Sequence, residues 1–412
     1  MLTWTLPMAY TVVSIVAAFL VPRIEHALFP TLSIGLSDSS AVAVLSAAAS
    51  GMMGLTAIVF SIAFVLVQFS AVAYSPRIAL RFSRDPMTFH ALGVFFATFT
   101  YALATIAWTD RDGARVVPVL SWFIAISLVF ASLMFFALLV RRLNDLQITS
   151  MLRDIGDAGR AVIAQSVASP RRAVIRPTRP AAPVAQLLRY AGAPRYVEKL
   201  EITTLVELAR RADAVLVMEC AVGDTLAEET VMLRQLGGAP IDPALLRAAV
   251  KLGLERTVEQ DPKYPIRMLV DIAIKALSPA INDPTTAVQA LDQIEDLLRR
   301  LARINLHEGA ETDAQGVLRL VYPMPDWEDY LSLSFDEIRV FGATSVQVLR
   351  RMRAALHGIA ELLGEDPRVA AVRAYLGQLD GLIRRSDFDE ADRKRAEQED
   401  PQGLGLARHE EE

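Results

Sequence analysis

Four long apolar runs occupy the first third of the 412-residue chain. They cover residues 6–21, 41–74, 88–108 and 117–140, and none of them contains Asp, Glu, Lys or Arg. The hydrocarbon core of a bilayer is about 30 Å thick and needs about 20 apolar residues of helix. The pattern therefore predicts four transmembrane helices within a domain of residues 1–145.

The second apolar run is unusually long. At about 1.5 Å per residue it would extend roughly 50 Å as one helix, so it must tilt, break or project from the bilayer. Small and polar residues step along it by three, four or seven positions, which places them on one helical face. This face either lines a water-filled pathway or packs closely against another helix, and both interpretations stay open. Its marker residues are Ser50, Gly54, Ser61 and Gln68.

Arginine residues predict the orientation of these helices. They cluster after the second run, at Arg77, and after the fourth, at Arg141 and Arg142, whereas the opposite loops hold fewer. Positive residues flanking spans favour the cytoplasmic side. Both termini are therefore expected in the cytoplasm, with these three arginines as anchors at the membrane surface.

The remaining chain predicts a mostly helical domain with a small β part. Residues 146–194 form an amphipathic segment followed by a linker rich in Pro and Arg, and 195–240 form a small mixed α/β module. Within that module a strand, a Gly-Asp turn and a return strand resemble half of a barrel-sandwich fold. Its hairpin lacks the lysine that carrier modules need, so we interpret it as structural.

Residues 241–385 carry helix-capping signals. Asp242-Pro243 predicts a helix that runs to about residue 256, a second helix is expected at 265–277, and Asp283-Pro284 opens a third. The segment 386–412 is rich in charge and poor in apolar residues, which predicts a disordered tail.

The loop between the second and third of these helices has three interpretations. It could bind a phosphate or carboxylate at the helix N-terminus, hold a divalent cation near Asp271, Asn282 and Asp283, or form a tight structural corner. The residues concerned are Asp271, Lys275, Ser278, Asn282, Asp283 and Thr285.

Composition narrows the classes of function. The chain is 53% hydrophobic and 22% charged with a net charge of −5, which fits an apolar half joined to a soluble half and disfavours nucleic acid as a partner. Its single cysteine, Cys220, and five scattered histidines indicate neither a disulfide nor a metal set. No phosphate-binding loop or catalytic motif occurs, so no catalytic residue, metal or cofactor is predicted and the sequence does not favour an enzyme.

Several motifs resemble a bacterial family catalogued as domain of unknown function 2254, a predicted membrane protein. They are Arg-Thr-Val-Glu-Gln-Asp at 256–261, Leu-Val-Asp-Ile-Ala-Ile-Lys-Ala-Leu-Ser-Pro at 269–279, Asn-Asp-Pro at 282–284 and Phe-Asp-Glu-Ile-Arg at 335–339. The resemblance covers the chain up to about residue 385. It implies a protein of the bacterial inner membrane and supplies no activity, substrate or catalytic residue.

We interpret the chain as mainly α, with four transmembrane helices followed by a mostly helical cytoplasmic domain. The favoured function is an oligomeric, transport- or channel-like protein whose cytoplasmic domain serves assembly and gating. The alternative is a membrane-anchored sensor or scaffold whose cytoplasmic domain binds a small ligand or a protein. The expected partners are the lipid bilayer, further copies of the chain, and a small solute or ion that the sequence does not identify.

Overall fold

The computed structural model describes residues 5–29, 37–73, 86–109, 117–144, 148–167, 182–304, 306 and 309–406. The chain divides into two compact units, Met1–Gln147 and Ile148–Glu412. The mainly helical class with a small β part is confirmed.

The first unit contains four long helices. These are α1 (Thr5–Leu28), α2 (Asp38–Ala73), α3 (Pro86–Thr109) and α4 (Val119–Asn144). In the part of the chain that the structure describes, four helical segments are long and apolar enough to cross a membrane: Thr5–Leu28, Asp38–Ser61, Met87–Thr109 and Val119–Arg141. The four predicted spans are therefore confirmed as helices of the required length and composition.

Helix α3 lies at the centre of this unit. More than half of its span is buried, compared with less than a third of each other span. Phe95 and Tyr101 are fully enclosed, and residues of α1, α2 and α4 pack against the α3 core. The third helix thus supplies the packing surface on which the other three assemble.

Polar side chains between these helices bond to neighbouring helices. Ser14 Oγ donates to the carbonyl of Ala97 at 2.6 Å, and the hydroxyls of Thr98 and Ser132 lie 2.8 Å apart. Inside an apolar bilayer each polar group needs such an internal partner. These bonds consequently fix the register between α1, α3 and α4.

The second unit contains two small sheets. Its strands are β1 (Val184–Arg189), β2 (Arg195–Leu200), β3 (Val215–Met218), β4 (Thr225–Leu226), β5 (Val231–Leu236), β6 (Val250–Gly253), β7 (Gly309–Thr312) and β8 (Leu318–Tyr322). The order β1-β5-β3-β8-β7 forms one sheet and β4-β2-β6 the other. The predicted strand and return strand pair antiparallel as β3 and β5.

Two predicted boundaries differ from these sheets. Strand β1 lies inside the predicted 146–194 linker, because its backbone pairs with β5; residues 168–181 of that linker are outside the described part. The predicted 195–240 module is also not a separate unit, because its strand β3 pairs in parallel with β8, about a hundred residues later in the chain. Such distant pairing leaves no local sequence pattern.

Nine helices are described in the second unit. They are α5 (Ile148–Val167), α6 (Ile202–Arg211), α7 (Pro243–Ala248), α8 (Lys263–Ala276), α9 (Pro284–Leu301), α10 (Trp327–Phe341), α11 (Val346–Leu363), α12 (Val369–Arg385) and α13 (Glu390–Ala396). The predicted helix from 243 to about 256 ends instead at Ala248. The next residues pair with β2 as strand β6, whose Val250 is buried.

The predicted disorder of residues 386–412 is wrong for the described part, which ends at residue 406. The chain there forms α13 and a turn around Asp400, which is only 3% exposed. Asp400 accepts hydrogen bonds from the N–H groups of Gly403 and Gly405, while Arg350 of α11 donates to the carbonyls of Gly405 and Leu406. These polar contacts hold the segment in a defined conformation, although its low apolar content predicts disorder.

Candidate functional site

A cleft of about 490 Å³ lies within the second unit. Three stretches of chain form its wall: the turn after β3, the segment that leads from β6 into α8, and the segment from β8 into α10. The second stretch contains the 256–261 motif that the sequence analysis singled out. The cleft therefore joins residues that lie far apart in the sequence.

The turn after β3 needs glycine at position 223. Gly223 has φ of +89°, and a Cβ on it would collide with the carboxylate of Asp261. The turn is held by Asp224, whose Oδ2 accepts from the N–H of Ala221 at 2.8 Å, and by the Gly223 N–H, which donates to the Val197 carbonyl at 2.8 Å. This geometry brings the backbone close over Asp261.

Arg256 is positioned by two contacts. Its Nε donates to the Gly223 carbonyl at 2.8 Å, and its guanidinium carbon lies 4.9 Å from the ring centroid of Tyr196. A carbonyl bond and a cation–π contact orient the group without neutralising it. Arg256 thus contributes a positive charge to the lining of the cleft.

Asp261 is the buried carboxylate of the cleft, with 3% of its surface exposed. Its Oδ1 accepts from the backbone N–H of Lys263, the first residue of α8, at 3.0 Å. Burial raises the pKa of Asp261 to about 6; Asp224 acts in the same direction, whereas Lys263 and Arg256 oppose it. Asp261 therefore changes charge close to physiological pH.

Arg267, one turn further along α8, joins two helices. It bonds the carboxylate of Asp271 on its own helix and that of Glu337 on α10. The bonds from Arg267 lower the pKa of Glu337. This triad fixes α10, which contributes Asp329 and Leu333 to the cleft.

The opposite wall is mainly apolar. It comprises Pro323, Met324, Pro325 and Leu333, together with Asp329. Asp329 belongs to the capping box of α10, in which it accepts from the N–H of Asp326 at 3.0 Å. The cleft thus combines a charged side with an apolar side, the usual composition of a small-molecule site.

The predicted loop at 278–286 is closed by its own hydrogen bonds. Ser278 Oγ donates to the Lys275 carbonyl at 2.7 Å, and the Asp283 carboxylate caps α9 by accepting from the N–H and hydroxyl of Thr286. Asn282 has φ of +49° and is exposed, as is Thr285, while Asp271 faces Arg267. The described His, Cys, Asp and Glu residues form no group of three that could hold a metal ion.

The small-residue face of α2 points away from the core of its unit. Leu45 and Ala49 are buried in that core, whereas Ser50, Gly54 and Ser61 are exposed, and a Cβ on Gly54 would meet nothing within 4 Å. The Gln68 side chain lies outside the described residues. Arg141 is exposed near the end of α4; the Arg142 side chain and Arg77 are likewise outside the described part.

Sequence reasoning missed the cleft. Arg256 and Asp261 enter the sequence analysis only as part of a motif and Asp224 only as part of a turn, and Lys263 and Arg267 are not singled out there. The available signal was the concentration of charged residues from Glu255 to Arg267, which surrounds Asp261-Pro262-Lys263. What that signal lacked was the position of the 221–224 turn and of the 323–333 segment.

Comparison with known proteins identifies relatives of most of the chain. A family described as "Predicted membrane protein (DUF2254)" matches residues 2–358, so α12 and α13 fall beyond the match. Uncharacterized proteins of Mycobacterium bovis and Mycobacterium tuberculosis are 27% identical over 391 residues, which is 91% of this chain and 74% of each relative. No solved structure matches the chain. On the strength of the match to most of its length, the chain belongs to this family of predicted membrane proteins.

Proposed function

We propose that the chain is a membrane-anchored sensor whose second unit binds a small molecule in the cleft between α8, α10 and the 221–224 turn. The observation that carries this proposal is the mixed lining of the cleft, which includes the charged Arg256 and Lys263 as well as the apolar Leu333. Its volume of about 490 Å³ falls in the range of about 300–1,000 Å³ that small-molecule sites occupy.

The experiment measures binding to the full-length protein in detergent micelles. The probes are benzoate and benzylamine, which share a ring and differ in charge, and calorimetry follows their binding. Leu333→Trp fills the cleft and should abolish saturable binding. Leu362→Trp, at a half-exposed position of α11 away from the cleft, is the matched control. Binding of neither probe, or equal binding by both variants, would refute the proposal.

A second candidate function is an oligomeric, transport- or channel-like protein with the second unit as its assembly and gating domain. The exposed small-residue face of α2 favours it, because such faces in membranes pack closely against another helix. In this proposal α2 meets α2 of a second copy, and the Ser50, Ser61 and Gln68 side chains border a solute pathway.

Cross-linking separates oligomer from monomer. With the buried Cys220 replaced by Ala, Ser50→Cys should form disulfide-linked dimers in native membranes, whereas Phe123→Cys, at an exposed position of α4, should not. In liposomes Ser61→Phe or Gln68→Leu should then change the flux of ions or small solutes. If the Ser50→Cys protein remained monomeric, or if Phe123→Cys formed dimers equally well, this candidate would be ruled out.

The orientation is proposed as well. We infer that the protein lies in the bacterial inner membrane with both termini in the cytoplasm, because arginines cluster on the two flanks that share a side in a four-span protein. Arg77, Arg141 and Arg142 would then contact the cytoplasmic surface of the bilayer. Protease added outside spheroplasts should leave the Asp271 region intact, and digestion of that region would reverse the assignment.

A further inference from the structure

Asp261 lies where several charged groups of the cleft meet. Lys263 donates its backbone N–H to Asp261, and the Lys263 Nζ is 3.9 Å from Asp224 Oδ1. Arg256 is held through its Nε on the Gly223 carbonyl, and Gly223 lies directly against the Asp261 carboxylate. One buried carboxyl group is thus adjacent to two cations and a second carboxylate.

The ionisable groups around the cleft come from three elements. The turn after β3 contributes Asp224, the segment into α8 contributes Arg256 and Lys263, and α10 contributes Asp329. Tyr264 and Arg267 of α8 complete the set. Arg267 is already balanced by Asp271 and Glu337, and Asp329 is used in the cap of α10. The groups left to respond to a ligand are therefore Arg256, Lys263, Asp224 and Asp261.

Burial and the nearby Asp224 raise the pKa of Asp261 to about 6, although Lys263 and Arg256 oppose this. Ionised Asp261 supplies the negative charge that balances the two cations. Protonated Asp261 removes that charge and leaves Asp224 as the remaining carboxylate beside Lys263. Of the positive charges on Arg256 and Lys263, one is then uncompensated, and an anionic ligand can neutralise it.

We propose that the cleft binds a small organic anion with an apolar body, and that the anion and one proton on Asp261 bind together. This inference rests on the ligand-binding cleft proposed above and names its ligand class and regulation. The anionic group contacts Arg256 and Lys263, and the apolar body contacts Met324 and Leu333. The proton removes the charge of Asp261, which would otherwise repel the ligand.

A cationic ligand makes the opposite prediction. Asp224, Asp261 and Asp329 could hold an amine, but such a ligand would favour ionised Asp261 and bind more weakly as the pH falls. The sign of the pH dependence therefore distinguishes the two ligand classes. The anion is preferred because Arg256 is oriented by a carbonyl bond and a ring contact, and neither of these neutralises its charge.

The test uses the full-length protein in micelles and benzenesulfonate, whose charge does not change over the pH range used. Calorimetry at about pH 5, 6 and 7 should show affinity falling by up to about tenfold per pH unit above 6, with one proton taken up per anion bound at the upper pH. Repeating the titration in buffers of different ionisation enthalpy measures that proton.

Asp261→Asn should bind benzenesulfonate with the same affinity at every pH and without proton uptake. Asp242→Asn is the matched control, because Asp242 caps α7 outside the cleft and Asn caps helices as well as Asp does. The control should retain the pH dependence of the unmodified protein. Arg256→Gln should weaken binding at least tenfold at about pH 5.

The outcomes separate this inference from the proposed function. Binding that is blocked by Leu333→Trp but independent of pH would overturn the proton coupling and leave the ligand-binding cleft in place. Preference for benzylamine that increases with pH would overturn the anion class. Binding of neither benzenesulfonate, benzoate nor benzylamine would overturn the proposed function and this inference together.

Discussion

The guanidinium group of Arg267 donates two hydrogen bonds to the carboxylate of Glu337, from Nη1 to Oε1 at 2.5 Å and from Nη2 to Oε2 at 2.9 Å. The two residues are 70 positions apart in the sequence. A paired, parallel geometry of this kind is the strongest form of the arginine–carboxylate contact. It joins α8, which carries Lys263, to α10, which carries Leu333 of the cleft.

Glu337→Gln should destabilise the second unit by about 1 kcal/mol, since the Glu337 side chain is 45% exposed and solvent screens the pair. Arg267 lowers the pKa of Glu337 from its ordinary 4.5, so this stabilisation is present above pH 4.5 and is lost as the pH falls through the lower folded-state value. Hydrogen exchange of α8 and α10 measures the effect.

The control for Glu337 is Glu207→Gln. Among the contacts described, Glu207 pairs with Arg210 and Arg211, and both of these lie on α6 itself. It should leave exchange in α8 and α10 unchanged. Equal protection of α10 in the Glu337 variant and the unmodified protein at neutral pH would contradict the role of the pair.

The membrane helices could be predicted from sequence because their signal is local. A run without charged residues has few alternatives to a span, and the cap Asp283-Pro284 likewise marked the start of α9 within a residue. The local sequence does not show which face of α2 is buried. Whether Ser50 or Leu45 faces the core depends on where α3 lies, and only the structure supplies that.

The cleft could not be predicted because it is assembled from distant parts of the chain. The parallel pairing of Val217 with Val321 brings the end of β8 beside the turn that contains Gly223. No periodicity in either segment encodes that pairing. The ordered segment beyond residue 386 was missed for a related reason, since Asp400 and Arg350 replace an apolar core with hydrogen bonds.

Asp400→Ala should release the segment that follows α13. The substitution leaves the N–H groups of the buried Gly403 and the exposed Gly405 without their carboxylate acceptor, which costs about 1 kcal/mol. Limited proteolysis of the full-length protein should then cleave between residues 397 and 406. Asp387→Ala, at an exposed position, should not increase cleavage, and resistance of the Asp400 variant would show that other contacts hold this segment.

Glu25→Ala should destabilise the start of α4. The buried carboxylate of Glu25 accepts from the N–H groups of Val119 and Leu120 at 2.6 and 2.9 Å, and thus caps a helix in the membrane unit. Unsatisfied N–H groups in a site with little water should cost about 2 kcal/mol. Unfolding of the micellar protein by a denaturing detergent measures this loss, which Glu25→Gln should show to a smaller extent because its carbonyl still accepts.

Asp261→Asn should stabilise the second unit at neutral pH. The folded-state pKa of Asp261 is about 6 against an ordinary value of 3.8, so the folded protein holds the proton more tightly and loses stability as the pH rises from about 4 to about 6. Removing the ionisable group should recover about 3 kcal/mol at pH 7, because a pKa shift of about two units is worth roughly 1.4 kcal/mol per unit. Native-state hydrogen exchange of α8 reports this free energy.

The matched control for Asp261 is Asp313→Asn, which should have the opposite effect. Arg319 lowers the pKa of Asp313, so the ionised form stabilises the β7–β8 turn and its removal should weaken the protein at neutral pH. The Asp261 variant and the unmodified protein should converge in stability near pH 4, where both carry a neutral group at position 261. A stability gap that stays constant from pH 4 to pH 7 would mean that Asp261 does not titrate in this range, and that its burial is offset by Lys263 and Arg256.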